Sequence, residues 1–229
     1  MVKKGTLYGV SVGPGDPELL TLKAVRVLEQ CPVIAAPQTK GGRNLALDIA
    51  QNVVPLDDKI VLALHVAMHR DEARRANYEE AAAAVREQLD AGRDVAMPNL
   101  GDVSIYSTFS YLMRRLEAEG YETVMIPGVP SFCAVAARLQ TSLTDRNDPL
   151  HIVPAGAGSL EEALDLPGTK VLMKSGKTMG QVLDTLAQRD LLDKSALVQD
   201  CGMPTEQAYV DLRKVPADTG YFSTIIVKE

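Results

Sequence analysis

Four short stretches of this chain concentrate residue types suited to holding a ligand. They are Gly13-Pro14-Gly15-Asp16-Pro17, then Asn99-Leu100-Gly101-Asp102-Val103-Ser104-Ile105-Tyr106-Ser107, then Pro127-Gly128-Val129-Pro130-Ser131, and late in the chain Cys201-Gly202-Met203-Pro204-Thr205-Glu206. In the first of them, the glycines let the backbone turn sharply and a ligand approach it closely, while Pro14 and Pro17 have no N–H to donate. That loop is not a phosphate cradle. It lacks G-x-x-x-x-G-K-[ST], no lysine follows its glycines, and Pro17 breaks G-x-G-x-x-G. Asp16 and Glu18 would also repel a pyrophosphate. The loop is therefore either a stiff strand-to-helix turn or a wall around a ligand that is not strongly anionic.

Other chemistries find no support. There is no Ser/His/Asp triad and no paired-carboxylate site. Cys31, Cys133 and Cys201 lie far apart with no CxxC, and His65 and His69 have no Glu or Cys at ligand spacing, so no structural zinc site is expected. Cys133 reads as a small buried apolar residue. The formal net charge of −6, without a long basic block, disfavours a general nucleic-acid binder. No apolar run reaches the length of a membrane span, and no apolar stretch follows Lys3 and Lys4 as in a signal peptide. The expectation is a soluble cytoplasmic protein with no membrane partner.

The elements that position these loops follow from periodicity. With 229 residues, 46% of them hydrophobic, the chain can form one large domain or two small ones. A strand is expected over 6–12, then a helix over 17–30, capped by Asp16, whose buried face is Leu19, Leu22, Val25 and Leu28. A short strand at 33–36 leads to a polar, basic loop at 38–43 and a weak helix at 44–52. A helix within 65–92 carries Tyr78, Ala81, Val85 and Leu89 on one face and ends at Gly92. A strand over 93–98, a helix through Leu112 and Leu116, a strand over 121–126 and a helix through Ala134 and Leu139 follow. Strand, Gly/Pro loop and helix thus repeat, and the loops at 13, 37, 101 and 128 should converge on one edge of one sheet. The polar, turn-rich stretch 143–149 looks like a boundary. Beyond it, helices at 160–165, capped by Ser159, and at 179–189 mix with strands at 151–155, 170–173, 195–200, 209–213 and 221–227. That mixture suggests an α+β domain with a mainly antiparallel sheet.

In this order and spacing, Gly13-Pro14-Gly15-Asp16-Pro17, Gly101-Asp102, Pro127-Gly128-Val129-x-Ser131 and Gly202-x-x-x-Glu206 resemble the tetrapyrrole methylases over essentially the whole chain. Those enzymes use S-adenosylmethionine to methylate precorrins and uroporphyrinogen, releasing S-adenosylhomocysteine. Within the family the chain is most similar to the C20-methyltransferases. The residues that carry this are Gly101-Asp102-x-x-x-Tyr106-Ser107-Thr108, Ile126-Pro127-Gly128-Val129-Pro130-Ser131-Phe132 and Gly220-Tyr221-Phe222-Ser223-Thr224. The substrate class is then precorrin-2 or its cobalt-loaded counterpart, cobalt-factor II, and the compact length leans to the cobalt form. The resemblance implies a two-domain α/β fold. Its N-terminal domain, 1–128, has a mostly parallel sheet with helices on both faces. Its C-terminal domain, 129–229, is α+β with a mainly antiparallel sheet. A homodimer is also implied.

For the methyl donor the resemblance implies Pro14 lining the site and Gly101, Asp102 and Val103 approaching the methionine portion, with Tyr106 and Ser107 nearby. Ser131 and Phe132 open the next helix, Met173 packs on the adenosine, and Gly202 and Met203 close the other side. Val103 and Pro130 depart from the Pro and the Thr or Ser common at those positions. The donor is a sulfonium cation, which a carboxylate suits, and Asp102 is the candidate, either toward the donor or as a helix cap. The acceptor is a methine carbon that needs placement more than activation. Asp102, Tyr106 or water would take its proton. The substrate's carboxylates call for local positive charge, and Lys40, Arg43, His69 and Arg70 are the candidates, beside His65, Arg74 and Arg75.

Overall fold

The computed structural model describes residues 3–38, 44–65, 72–156, 160–216 and 219–228. The chain divides into two compact units, 1–130 and 131–229.

The first unit contains β1 (Thr6–Ser11), α1 (Leu22–Gln30), β2 (Val33–Gln38), α2 (Leu45–Gln51), β3 (Ile60–His65), α3 (Glu72–Asp90), β4 (Val95–Asn99), α4 (Phe109–Ala118) and β5 (Glu122–Ile126). Its sheet has the order β3-β2-β4-β1-β5, and every pairing is parallel. Buried runs such as Val33, Ile34, Ala35 and Ala36 show why: a parallel sheet is covered on both faces, so its strands need not alternate. Leu7, Val95 and Met97 pack with Val85 and Leu89 of α3 and Phe109 and Leu116 of α4. Val10, Ile34 and Ala96 pack on the opposite face with Leu28 of α1 and Ile49 of α2. A side chain at Gly9 would meet the Phe109 ring at 2.6 Å, so this glycine lets α4 sit directly on β1.

The first helix differs from its expected form. Residues Pro17–Leu19 make a separate 3-10 turn, closed by the Asp16 carboxylate accepting from the Glu18 amide. The α-helix starts at Leu22, with the Thr21 hydroxyl as its cap on the Ala24 amide. Leu22 is 82% exposed, and Ala24 and Leu28 are the buried residues. A strict three-residue spacing drifts around a 3.6-residue helix, so Leu22 and Leu28 cannot share one stripe.

The second unit contains α5 (Ser131–Arg138), β6 (Leu150–Pro154), α6 (Leu160–Leu164), β7 (Thr169–Met173), α7 (Met179–Gln188), β8 (Ser195–Gln199), β9 (Gln207–Tyr209) and β10 (Ser223–Val227). The sheet order is β6-β7-β10-β8-β9. Only β6 and β7 are parallel; the other three pairings are antiparallel. Ile225 and Val227 face a cluster with Val182 and Leu186 of α7, while Ile226 faces Val135 and Ala136 of α5. This is the period of two expected of a strand between two layers.

The stretch 143–149 is a turn between α5 and β6, inside the second unit. The strand expected over 209–213 is instead β9 followed by a 3-10 turn at Leu212–Lys214, where Asp211 caps the Arg213 amide. Cys133 is exposed rather than buried, because it lies on the outer side of α5. Ser159 lies outside the described residues. Among the described residues no helix is long and apolar enough to cross a membrane.

Candidate functional site

In the first unit the parallel register brings three loops together. Ser11 pairs with Asn99, and Val10 pairs with Ile126, so β1, β4 and β5 end side by side. Each strand then opens into one of the glycine loops. Gly13 and Gly101 exchange two backbone bonds, Gly101 N to Gly13 O at 2.7 Å and the reverse at 3.3 Å. Gly101 has φ +71°, a conformation that a side chain would strain. The loop after β2 is described only as far as Gln38, where Asn44 donates back to the Pro37 carbonyl.

Asp102 is the knot of this edge. One carboxylate oxygen accepts from the Ser104 amide at 2.8 Å and from the Ser104 hydroxyl, and the other accepts from the Gly128 amide at 2.8 Å. Burial alone would raise its pKa. The bonds from Ser104 and Gly128 outweigh that and hold the carboxyl below its ordinary range. Asp102 is thus ionised at neutral pH and tied between two loops.

Around it the backbone donors are already engaged. The amides of Gly101, Val103, Ser104 and Ile105 donate to the Gly13 carbonyl, the Ser11 hydroxyl, the Asp102 carboxylate and the Asp102 carbonyl. A phosphate-binding loop needs such amides free. This loop has spent four of its five amides over 101–105 and retains a carboxylate, so it suits a cationic group better than a phosphate. Pro14 is buried beside it, and Val103 is buried below it. Tyr106, 44% exposed, has φ +51°, and its phenol is pushed up by burial. Ser107 donates to Asn99 Oδ1 at 2.6 Å and accepts from the Phe109 amide, so it fixes the start of α4.

In the second unit β6, β7 and β8 all run antiparallel to β10 or parallel to each other, so Pro154, Met173 and Gln199 end on one edge. Met173 is partly buried there. Ser175, two residues on, is fully buried, and its hydroxyl has no hydrogen-bond partner among the described residues. The loop after β8 turns at Gly202, φ +80°. Glu206 closes it by accepting from the Gly202 amide at 2.8 Å and from the Arg138 guanidinium at the end of α5. Burial raises the Glu206 pKa, but these donors win and hold it below the ordinary value. Burial and the Glu206 charge together push the neighbouring Cys201 thiol up to about 11, which makes it a poor nucleophile. Met203 is partly buried in the same turn, its amide on the Asp200 carbonyl. Ser131 and Phe132 begin α5, at the opposite end of that helix from Arg138.

The structure therefore assembles Pro14, Gly101, Asp102, Val103, Tyr106 and Ser107 within the first unit, and Met173, Gly202 and Met203 on one edge of the second. Lys40, Arg43, His69 and Arg70 lie outside the described residues. Two residues that hold these loops, Ser11 and Arg138, were not singled out from the sequence. Each bonds to a partner distant in sequence, Val103 and Glu206, and no local motif marks such a partner.

A family model of the tetrapyrrole (corrin/porphyrin) methylases matches residues 6–216. Cobalt-precorrin-2 C(20)-methyltransferase of Salmonella typhimurium is 34% identical over 231 residues, spanning 98% of this chain and 97% of its own. A probable cobalt-precorrin-2 C(20)-methyltransferase of Methanocaldococcus jannaschii is 36% identical over 191 residues, 83% of this chain and 80% of its own. The solved structure of uroporphyrin-III C-methyltransferase from Thermus thermophilus, complexed with S-adenosyl homocysteine, superposes with a TM-score of 0.74 at 23% identity, covering 98% of each chain. That last likeness is one of fold.

Proposed function

The chain belongs to the tetrapyrrole (corrin/porphyrin) methylase family, and from that premise we propose that it transfers a methyl group from S-adenosylmethionine to C20 of a tetrapyrrole. The observation that carries the reading is the state of the 101–105 loop, with four of its five amides engaged and Asp102 ionised. A cationic donor fits such a loop, and a phosphate-bearing cofactor does not. When bound, the donor supplies an electrophilic methyl group. Pro14, Gly101, Asp102, Val103, Tyr106 and Ser107 would hold its amino-acid portion, and Ser131, Phe132, Met173, Gly202 and Met203 the remainder.

The protein's own contribution is placement and exclusion of water rather than covalent catalysis. Asp102 favours positive charge nearby. Its lowered pKa makes it a weak base, so its part is electrostatic and architectural. Tyr106 stays neutral at physiological pH and can direct a hydrogen bond near the acceptor. Lys40, Arg43, His69 and Arg70 would meet the substrate's carboxylates. C20 as the position, and a cobalt-loaded rather than a metal-free acceptor, are supported by the names of the two relatives, both of which carry cobalt-precorrin-2 and C(20). We place the activity in a homodimer in the cytoplasm, with neither nucleic acid nor membrane as partner.

The test is an anaerobic assay with methyl-labelled S-adenosylmethionine, offering the two tetrapyrroles separately and locating the label by NMR. Label at C20 of the cobalt compound alone is expected. Label at another carbon would retain the family and remove the C20 assignment. Transfer to the metal-free compound alone would overturn the cobalt assignment.

A further inference from the structure

Ser11 is the last residue of β1 and is fully buried. Its hydroxyl accepts the Val103 amide at 2.8 Å, across 92 residues of sequence. Room for it is left by Gly128, where a side chain would come within 2.4 Å of the Ser11 Cβ. Gly128 in turn gives its amide to Asp102. Ser11, Val103, Gly128 and Asp102 therefore form one closed arrangement joining the ends of β1, β4 and β5. Among the engaged amides of the 101–105 loop, that of Val103 donates to a side chain from another strand; the Gly101 amide is held by backbone and the Ser104 amide by the Asp102 carboxylate of the same loop.

We propose that Ser11 is a positioning residue for the methyl donor, an inference that rests on the function proposed above. By capturing the Val103 amide it turns this peptide so that no donor is presented to a cation, and it fixes the height of the 101–103 backbone beside the donor. Without the hydroxyl, a buried amide loses its partner and the peptide turns to find another. The electrostatic character of the loop then changes although every residue named as touching the donor remains in place.

The experiment compares Ser11→Ala with Ser195→Ala. Ser195 is a similarly buried serine of the second unit, whose hydroxyl donates to the Leu191 carbonyl at 2.7 Å. Donor affinity is read by calorimetry with S-adenosylmethionine in the absence of tetrapyrrole, KM and kcat by methyl transfer, and amide exchange at Val103 by NMR. Ser11→Ala is expected to raise the donor Kd and KM by about tenfold, the scale of one hydrogen bond, with kcat within about twofold. Exchange should quicken at Val103 and not at Gly101. Ser195→Ala should lower the melting temperature and leave donor affinity unchanged. Unchanged donor affinity in a folded Ser11→Ala protein would overturn the proposal. Should that variant not fold, Ser11→Cys, with a weaker sulfur acceptor, carries the test by the same readouts, and wild-type affinity there is equally fatal. Absence of donor binding by the wild-type protein would instead sink the function on which the inference rests.

Discussion

The loop at 101–104 in the first unit and the loop at 200–206 in the second are each turned by a glycine in the left-handed region, Gly101 and Gly202, and each is closed by a carboxylate held below its ordinary pKa. The carboxylates keep different company. Asp102 takes neutral donors only, the Ser104 amide and hydroxyl and the Gly128 amide, and one of these belongs to another strand's loop. Glu206 takes one amide and the Cys201 thiol from its own loop and one guanidinium, and Arg138 is half exposed. The first loop is locked by bonds from neutral donors, two from the exposed Ser104 and one from Gly128 in the neighbouring loop of the same sheet edge. The second is locked by an ion pair that water and salt can replace. The first loop should therefore behave as the rigid one and the second as the adjustable one.

The largest break in that contrast is Gly128→Ala. The new side chain meets both the Ser11 Cβ and the Gly101 carbonyl, which are backbone-fixed and cannot swing away. Overpacking of this kind costs about 1–3 kcal/mol. Here it also separates Gly128 from Asp102, so donor affinity should fall by tenfold or more, roughly the same free energy. Calorimetry beside a thermal melt reads both effects. Next in size is Asp102→Asn. Both carboxylate oxygens face N–H groups, so an amide must turn its own NH2 toward one of them, at about 1–3 kcal/mol. Glu206→Gln meets the same mismatch. There Arg138 can turn to water, and the loss should stay near 0.5–1 kcal/mol. Amide exchange at Gly128 in one variant and at Gly202 in the other compares the two directly. Equal loss of protection would contradict the rigid-versus-adjustable distinction.

How much of this was readable from the chain follows the range of each interaction. The glycine loops stood out because turn chemistry is local, and the convergence of the loops at 13, 101 and 128 followed from strand–loop–helix order, since parallel strands end on one edge. The start of α1 was misread because Asp16 and Thr21 are both good caps, and only the fold shows that Asp16 serves a 3-10 turn. The partnership of Ser11 with Val103 and that of Arg138 with Glu206 were not readable at all. They span 92 and 68 residues, and neither serine at a strand end nor arginine at a helix end specifies a distant partner. The roles of Asp102 and Glu206 were half readable: their types and their positions beside glycine were plain, their bonds to glycine amides were not.

The smallest expected effect is also the most selective. Screening shortens from about 8 Å at physiological ionic strength to about 3 Å at 1 M salt. The Arg138–Glu206 pair is partly exposed and charged on both sides, so high salt should quicken amide exchange at Gly202 by a few-fold, the scale of a surface ion pair. Asp102 has no cationic partner among its hydrogen-bond donors, so the same salt should leave Gly128 nearly unchanged. Acid should affect both loops alike. Each carboxyl is lowered on folding, so its contribution is complete above the ordinary carboxylate range, near pH 4, and is lost as pH falls from there through the folded value. Measured by exchange at the two glycines, salt should therefore separate the loops and acid should not. A salt response at Gly128 as large as that at Gly202 would mean that a charge acts on Asp102 which its bonding does not show. The first loop would then be as adjustable as the second.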